Sequence, residues 1–432
     1  MFLDNFRVLR TSSGFRVVFG AVTSRLATLG FNAAMAVYVL DLTGNAVDLG
    51  LTLFVGTVPF FALSLVTGVV CDRFSRKNII LVCDAIRVLV AAGFLVASTL
   101  VDTGSTILLV YATVFLFSLC ESFVSTAFST IVPDVVEEKH ILDTNNLVSG
   151  LGEAVRMGGP VAGVLIYAVA GFHTTTLFVM ALFIVAFCLQ WGIGYVKVNA
   201  PGTTTGIGAM FRQEAGMFRQ LITGDARLSS LFANGFTTHL FLYPFALIGL
   251  PYVITQVFRA NSIEYGYLEA VCALGGILAV LVVPFTKGWT VARNLSGSMV
   301  GMLAGSALFL LLLIGPVADL MGDNAVVRLG VLSLACFTVF LAFGVYGVYF
   351  VSFMHENIRS EMLGKGMSVV MMCNALGRML GFWLFGLLFD HSLQVAVLVF
   401  VSGMALKLLV HVPFLIADRK RTELAQASKG EV

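Results

Sequence analysis

Gly68-Val69-Val70-Cys71-Asp72-Arg73-Phe74-Ser75-Arg76-Lys77 joins two long apolar runs, residues 47–70 and 79–100. One glycine, one acid and three cations are gathered in a short link between stretches that carry almost no charge. Each flanking run exceeds the roughly 20 apolar residues that a helix needs to cross a bilayer. Ten more runs of the same kind surround this pair: 15–40, 106–131, 143–170 and 175–196, then 229–257, 264–286, 294–316, 326–351, 366–388 and 394–416. They are continuous, whereas strands of a transmembrane barrel are about ten residues long and alternate apolar with polar. The expected fold class is therefore an all-α integral membrane protein, with twelve transmembrane helices in two six-helix halves.

Composition supports this. Only 12% of the 432 residues are charged and 58% are hydrophobic, against about 25% charged in soluble domains. Twelve spans and their loops use up the length, and none is left for a soluble catalytic domain. A net charge of +2 implies no nucleic acid or other polyanionic partner. Six of the seven cysteines lie inside apolar runs and none forms a Cys-x-x-Cys pair, so neither a metal site nor a disulfide framework is expected. No cofactor is implied. The first apolar run is too long for a cleavable signal.

The cations set the expected orientation. With both termini inside, the cytoplasmic segments hold Arg7, Arg10, Arg73, Arg76, Lys77, Lys139, Lys197, Arg359, Lys365, Arg419, Lys420 and Arg421, while the external loops hold Arg259 alone. This is the positive-inside asymmetry of a chain with an even number of spans. The expected organisation is a first six-helix half over 1–196, a cytoplasmic linker over 197–228, a second half over 229–416 and a cytoplasmic tail over 417–432. The linker opens Asn199-Ala200-Pro201-Gly202-Thr203-Thr204-Thr205-Gly206, a flexible composition. Residues 210–221 then read as an amphipathic helix in the headgroup region, with Met210, Phe211, Met217, Phe218 and Leu221 on its apolar side and Arg212 and Arg219 on the other.

The residues also resemble a known family. Asp72-Arg73-Phe74-Ser75-Arg76-Lys77, followed by Asp84 and Arg87, is similar to the loop signature of the major facilitator superfamily. Leu42-Thr43-Gly44 after span 1, and Arg156-Met157-Gly158-Gly159-Pro160-Val161-Ala162-Gly163 in span 5, resemble its drug–proton antiporter branch, which includes macrolide-efflux and enterobactin-exporter proteins. Val70 and Ser75 stand where the loop signature usually has Leu and Gly. Asn146, Val155 and Val164 replace glycines of the antiporter motif, and Phe31 and Asn32 stand where an acid often sits in span 1.

The resemblance implies alternating access between two halves, with the substrate site near the midplane. It implies a small-molecule substrate (drug, macrolide or siderophore-like), protons and membrane lipid as partners, and a monomer in the bacterial cytoplasmic (plasma) membrane. Proton-coupled efflux is the expected activity; an uptake permease or a lipid translocator of the same fold is the alternative. A membrane enzyme would need a reactive constellation that six scattered histidines do not supply. A transporter-like sensor would normally add a soluble output domain.

Within this frame Gly68, Asp72, Arg73, Arg76 and Lys77 form the expected gating motif. Gly68 would let another helix approach closely. By resemblance Asp72 would face the start of span 11 near Gly364 and Gly366, where free N–H groups favour an anion. Arg73, Arg76 and Lys77 would complement the C-terminal end of span 2. Gly159, Pro160 and Gly163 form the antiporter-like motif.

Charges inside spans cost about 2.5–3.5 kcal/mol each on insertion scales, so they are candidates for function. Arg25, Glu121, Glu153 and Arg156 fall at similar depth. Glu153 and Arg156 share a helical face and read as an ion pair. Spans 1, 4, 7 and 10 usually line the cavity in this family, which would bring Glu121, with Arg25 nearby, onto the substrate path. Burial and a neighbouring cation pull a carboxylate's hold on its proton in opposite directions, so cavity occupancy would switch the proton on Glu121; a static ion-pair cluster is the alternative. In the second half, His239 with Asn234 is a candidate substrate contact. Arg378 is mid-span 11, and Lys407 is expected to snorkel to the inner interface with His411 one turn on. Phe236, Phe241, Tyr243, Phe245, Phe343, Tyr346, Tyr349 and Phe350 either line an apolar cavity or pack between helices.

The topology is testable by labelling. In a background without native cysteines, a cysteine at Asp323 should react with an impermeant reagent from outside, and one at Thr204 only from inside. Access to position 204 from outside would refute the orientation.

Overall fold

The computed structural model describes residues 11–195, 216, 224–358 and 360–430. Among these the secondary structure is helical throughout, and eleven helices are long and apolar enough to cross a membrane. One of them, 54 residues over Glu138–Trp191, would be about 80 Å long at 1.5 Å per residue, against a hydrocarbon core of about 30 Å. Gly171 divides it: its φ of 76° and ψ of 172° are open to glycine and disrupt the helix. The chain turns back there. Gly152, Gly163 and Tyr167 meet Arg25, Gly30 and Asp41 in ascending order, whereas Gln190 and Gly192 beyond the glycine meet Gly20 and Arg16. The loop expected at 171–174 is thus reduced to one residue, and the crossings among the described residues number twelve.

Contacts divide the chain into two units, one made of residues 1–210 with 261–266, the other of 211–260 with 267–432. The first contains α1 (Ser12–Thr43), α2 (Ala46–Arg73), α3 (Arg76–Ala97), α4 (Thr103–Val135), α5 (141–170) and α6 (172–191). Caps set several of the boundaries. Thr11 accepts from Gly14 N and Asp102 from Gly104 N, while Gly44, in the left-handed region at φ 71°, closes α1. α1 and α5 cross through glycine. A Cβ on Gly163 would lie 2.1 Å from the Gly30 carbonyl oxygen, and one on Gly159 would lie 3.1 Å from Leu29 Cβ. Pro160 lies between them inside α5. Small residues are what close helix approach in lipid requires.

The second unit begins with α7, Ala226–Pro244, which continues through π-helical turns at Phe245–Gly249 and Val253–Val257. Pro244 and Pro251 each remove a backbone donor from this stretch, and wider turns re-satisfy the ladder. Then come α8 (Ser262–Thr286, in this unit from Tyr267 on), α9 (Val291–Ala307, extended by a tight turn over Leu308–Leu313), a short helix at Gly315–Asp323, α10 (Ala325–Asn357), α11 (Ser360–His391) and α12 (Leu393–Gly430). The last helix does not stop near 416 but continues through the expected tail. α11 lies against α7 through Gly377 and Gly381, whose Cβ atoms would fall 2.5 and 2.4 Å from the carbonyl oxygens of Phe236 and Leu240. Phe245 is buried, stacked 3.9 Å from Phe400 and edge-on to Phe309. It is a packing residue.

Large apolar side chains such as Phe285, Val169 and Val326 stand outward, each at least 80% exposed. In water such a surface would aggregate; in a bilayer it is the lipid contact. The amphipathic helix expected at 210–221 lies outside the described residues, apart from a helical Gly216.

The glycine crossing yields an internal control. Gly163→Ala should cost about 1–3 kcal/mol through overpacking, lowering the unfolding midpoint in detergent. Gly158→Ala, five residues away with no atom within 4 Å of its Cβ, should leave that midpoint unchanged or raise it. Equal effects would refute the close crossing.

Candidate functional site

In the first unit the charges converge on α3. Arg87 is 0% exposed and holds two carboxylates. One guanidinium nitrogen donates to Asp84 Oδ1 at 3.1 Å, the other to Glu121 Oε2 on α4 at 2.6 Å. Ser24 of α1 donates to Asp84 at 3.0 Å, and Thr28, one turn on, donates to Glu121 at 3.3 Å. The Phe183 ring of α6 lies 5.3 Å from the guanidinium carbon. Four helices therefore meet at one cation. Asp84 has no side-chain exposure, whereas Glu121 retains 20%. With both acids ionised the cluster carries one net negative charge.

The partner expected for Glu121 is corrected. Arg25 is exposed and its guanidinium lies against Gly152 of α5, whereas Arg87 makes the ion pair. In the sequence Asp84 and Arg87 follow the loop signature and stand three apart on an otherwise apolar helix, a spacing that brings both onto one face and is the signal for this pair. Arg156 is exposed, and the side chain of its expected partner Glu153 lies outside the described residues. Phe31, where an acid was sought, is fully buried and stacked 4.5 Å from Phe117.

Arg73 lies in the last turn of α2, as expected, while two other cations of the loop motif also reach neighbouring helices. Arg76 reaches α4, pairing with Asp134 at 2.8 Å and donating to Thr130 O at 3.0 Å. Lys77 donates to Trp191 O and Ile193 O, both at 2.7 Å, and Arg16 of α1 donates to Gly192 O. They satisfy carbonyls at the C-terminal end of α6, where cations are favourable, rather than complementing α2. Arg73 is exposed. Among the described residues a Cβ on Gly68 would meet no atom within 4 Å. The side chains of Asp72 and of residues 360–365 lie outside the described set, and with them the latch to Gly364.

In the second unit His239 Nδ1 donates to Gly235 O, 2.9 Å away on its own helix, and the ring stacks 4.4 Å from Tyr243. Lys407 does not snorkel. It is 0% exposed, bonded to Thr238 Oγ1, with its ammonium 4.1 Å from the Tyr346 ring centroid. Tyr349 bonds Thr286 at 2.8 Å.

The Major Facilitator Superfamily model matches residues 17–382. A staphyloferrin A transporter of Staphylococcus aureus (strain NCTC 8325 / PS 47) is 25% identical over 260 residues, 57% of this chain and 60% of that protein. An uncharacterized MFS-type transporter of Bacillus subtilis (strain 168), YkuC, is 26% identical over 172 residues, 40% of this chain and 39% of its own. The match thus spans less than two thirds of either relative. Among solved structures, the nucleoside transporter NupG has a TM-score of 0.69 at 12% identity, covering 94% of this chain and 99% of that one. A bacterial homologue of the iron transporter ferroportin has 0.69 at 12%, covering 93% and 98%. A D-xylose–proton symporter has 0.65 at 13%, covering 93% and 97%. These structures share the fold. With its apolar crossings in two units and a family match over most of its length, the chain belongs to the Major Facilitator Superfamily and is a multi-pass membrane protein.

Proposed function

We propose that this protein is a transporter that exports a small amphiphilic molecule, of the drug, macrolide or siderophore kind, in exchange for protons across the bacterial cytoplasmic membrane. The observation that carries the coupling is the sharing of buried Arg87 between Asp84 and Glu121. Two carboxylates on one guanidinium leave one negative charge in a low-dielectric surrounding, and a single proton makes the cluster neutral. Glu121 is the partly accessible acid and the proposed proton carrier. Its bond to Thr28 and the bond of Asp84 to Ser24 link the proton to α1, one of the helices expected to line the cavity. Outward direction is supported by the resemblance of Gly159-Pro160-Val161-Ala162-Gly163 to the antiporter motif, and a siderophore-like substrate by the similarity to the staphyloferrin A transporter.

Glu121→Gln leaves Arg87 and Asp84 as a balanced pair, so the variant should fold. In inverted membrane vesicles it should lose uphill transport driven by a proton gradient, yet keep downhill exchange. Uphill transport with unchanged pH dependence would refute the assignment. Accumulation only in right-side-out vesicles would turn the reading to uptake.

A further inference from the structure

In the second unit Lys407 and His411 are buried and Arg378 is half-buried, and among the described residues no acid pairs with them. Arg378 of α11 lies with its guanidinium carbon 5.9 Å from the Tyr243 ring centroid. Among the described residues it donates to no acceptor, and its Nε is enclosed without a partner. Lys407 of α12 bonds only a neutral hydroxyl and an aromatic face. Its neighbour His411, 1% exposed, has no partner on either ring nitrogen, and the Asn234 and Asn374 side-chain oxygens are also unpartnered.

The acids of the surrounding helices are elsewhere. Glu356 is at the end of α10, Glu361 and Asp390 are at the two ends of α11, and Asp418 pairs with Arg227. Glu269 lies on α8, in the turn of Cys272. The first unit balances its buried cation with two carboxylates; the second leaves two cations without a counter-ion.

Such an arrangement is unfavourable in an isolated protein, because an uncompensated charge out of water is costly. It is favourable when the missing anion arrives with a ligand. We infer that Arg378 is the docking point for a carboxylate group of the transported molecule. This rests on the transport reading above and specifies its substrate class. The planar guanidinium matches a carboxylate with two parallel hydrogen bonds. Lys407 is enclosed, so its part is to add positive charge without touching the ligand. Tyr243, stacked on His239 and edge-on to Phe343 at 5.9 Å, gives the apolar part of the ligand an aromatic wall. The substrate is then an amphiphilic organic acid rather than a cationic drug.

The test uses the full-length transporter in nanodiscs and three probes of one shape: 1-naphthoate, its neutral amide and 1-naphthyl phosphate. Wild type should bind naphthoate and be stabilised by it against heat, with the amide much weaker. Arg378→Gln should weaken naphthoate binding by roughly tenfold or more, and Arg378→Lys by less. Without ligand, Arg378→Met should melt at or above the wild-type temperature, because it removes an unpaired charge; a purely structural arginine would melt lower. Equal binding of acid and amide, absence of naphthoate binding at millimolar concentration, or unchanged binding by Arg378→Gln would overturn the inference. A preference for the phosphate over the naphthoate would overturn the carboxylate assignment. Binding is measured without a gradient, so failure of proton coupling and failure of this site give different results.

Discussion

A guanidinium with no exposure to solvent persists only where acceptors are already in place around it, and Arg87 makes that demand on the whole first unit. It fixes the rotation of α3, because Asp84 must share its face, and the depth of α4, because Glu121 must reach it at 2.6 Å. It brings α1 close enough for Ser24 and Thr28 to bond the two acids. Hydrocarbon offers no competing solvation, so the helices meet where the charges are satisfied. The Gly30–Gly163 crossing complements this by letting α5 close against the other side of α1 without a side chain between them.

The two units treat buried charge in opposite ways. The first has one surplus acid around a cation, which on our proposal a proton neutralises. The second has cations at Arg378 and Lys407 that pair with no acid among the described residues, which on our proposal an anion meets. A transporter that exchanges protons for an organic acid would need both kinds of vacancy. At the ends of the helices charge has a plainer use: Arg76 pairs with Asp134, while Lys77 and Arg16 close the last carbonyls of α6.

The architecture was legible in the sequence because the bilayer imposes length and apolarity on each crossing, and twelve runs show both. Helix ends were less legible. α12 continues past 416 because nothing in Asp418–Arg421 breaks a helix, and the turn between α5 and α6 shrank to Gly171, a conformation that hydropathy does not encode. In the candidate site Glu121 was visible as an acid at membrane depth, but its partner was not. Depth matching suggested Arg25, whereas rotation about the helix axis decides contact, and that depends on tertiary packing. Lys407 was misplaced for a related reason. Its stem is long enough to snorkel, but Thr238 and Tyr346 on neighbouring helices hold it inside.

The central claim is that the acid cluster on Arg87 carries an exchangeable proton at Glu121. Infrared difference spectroscopy of the reconstituted transporter across a pH titration addresses it directly. The account predicts the carbonyl stretch of a protonated carboxyl group that appears as pH falls, is absent from Glu121→Gln, and persists in Glu269→Gln. No such band in the wild type at any pH where the protein stays folded, or an unchanged band in Glu121→Gln, would contradict it.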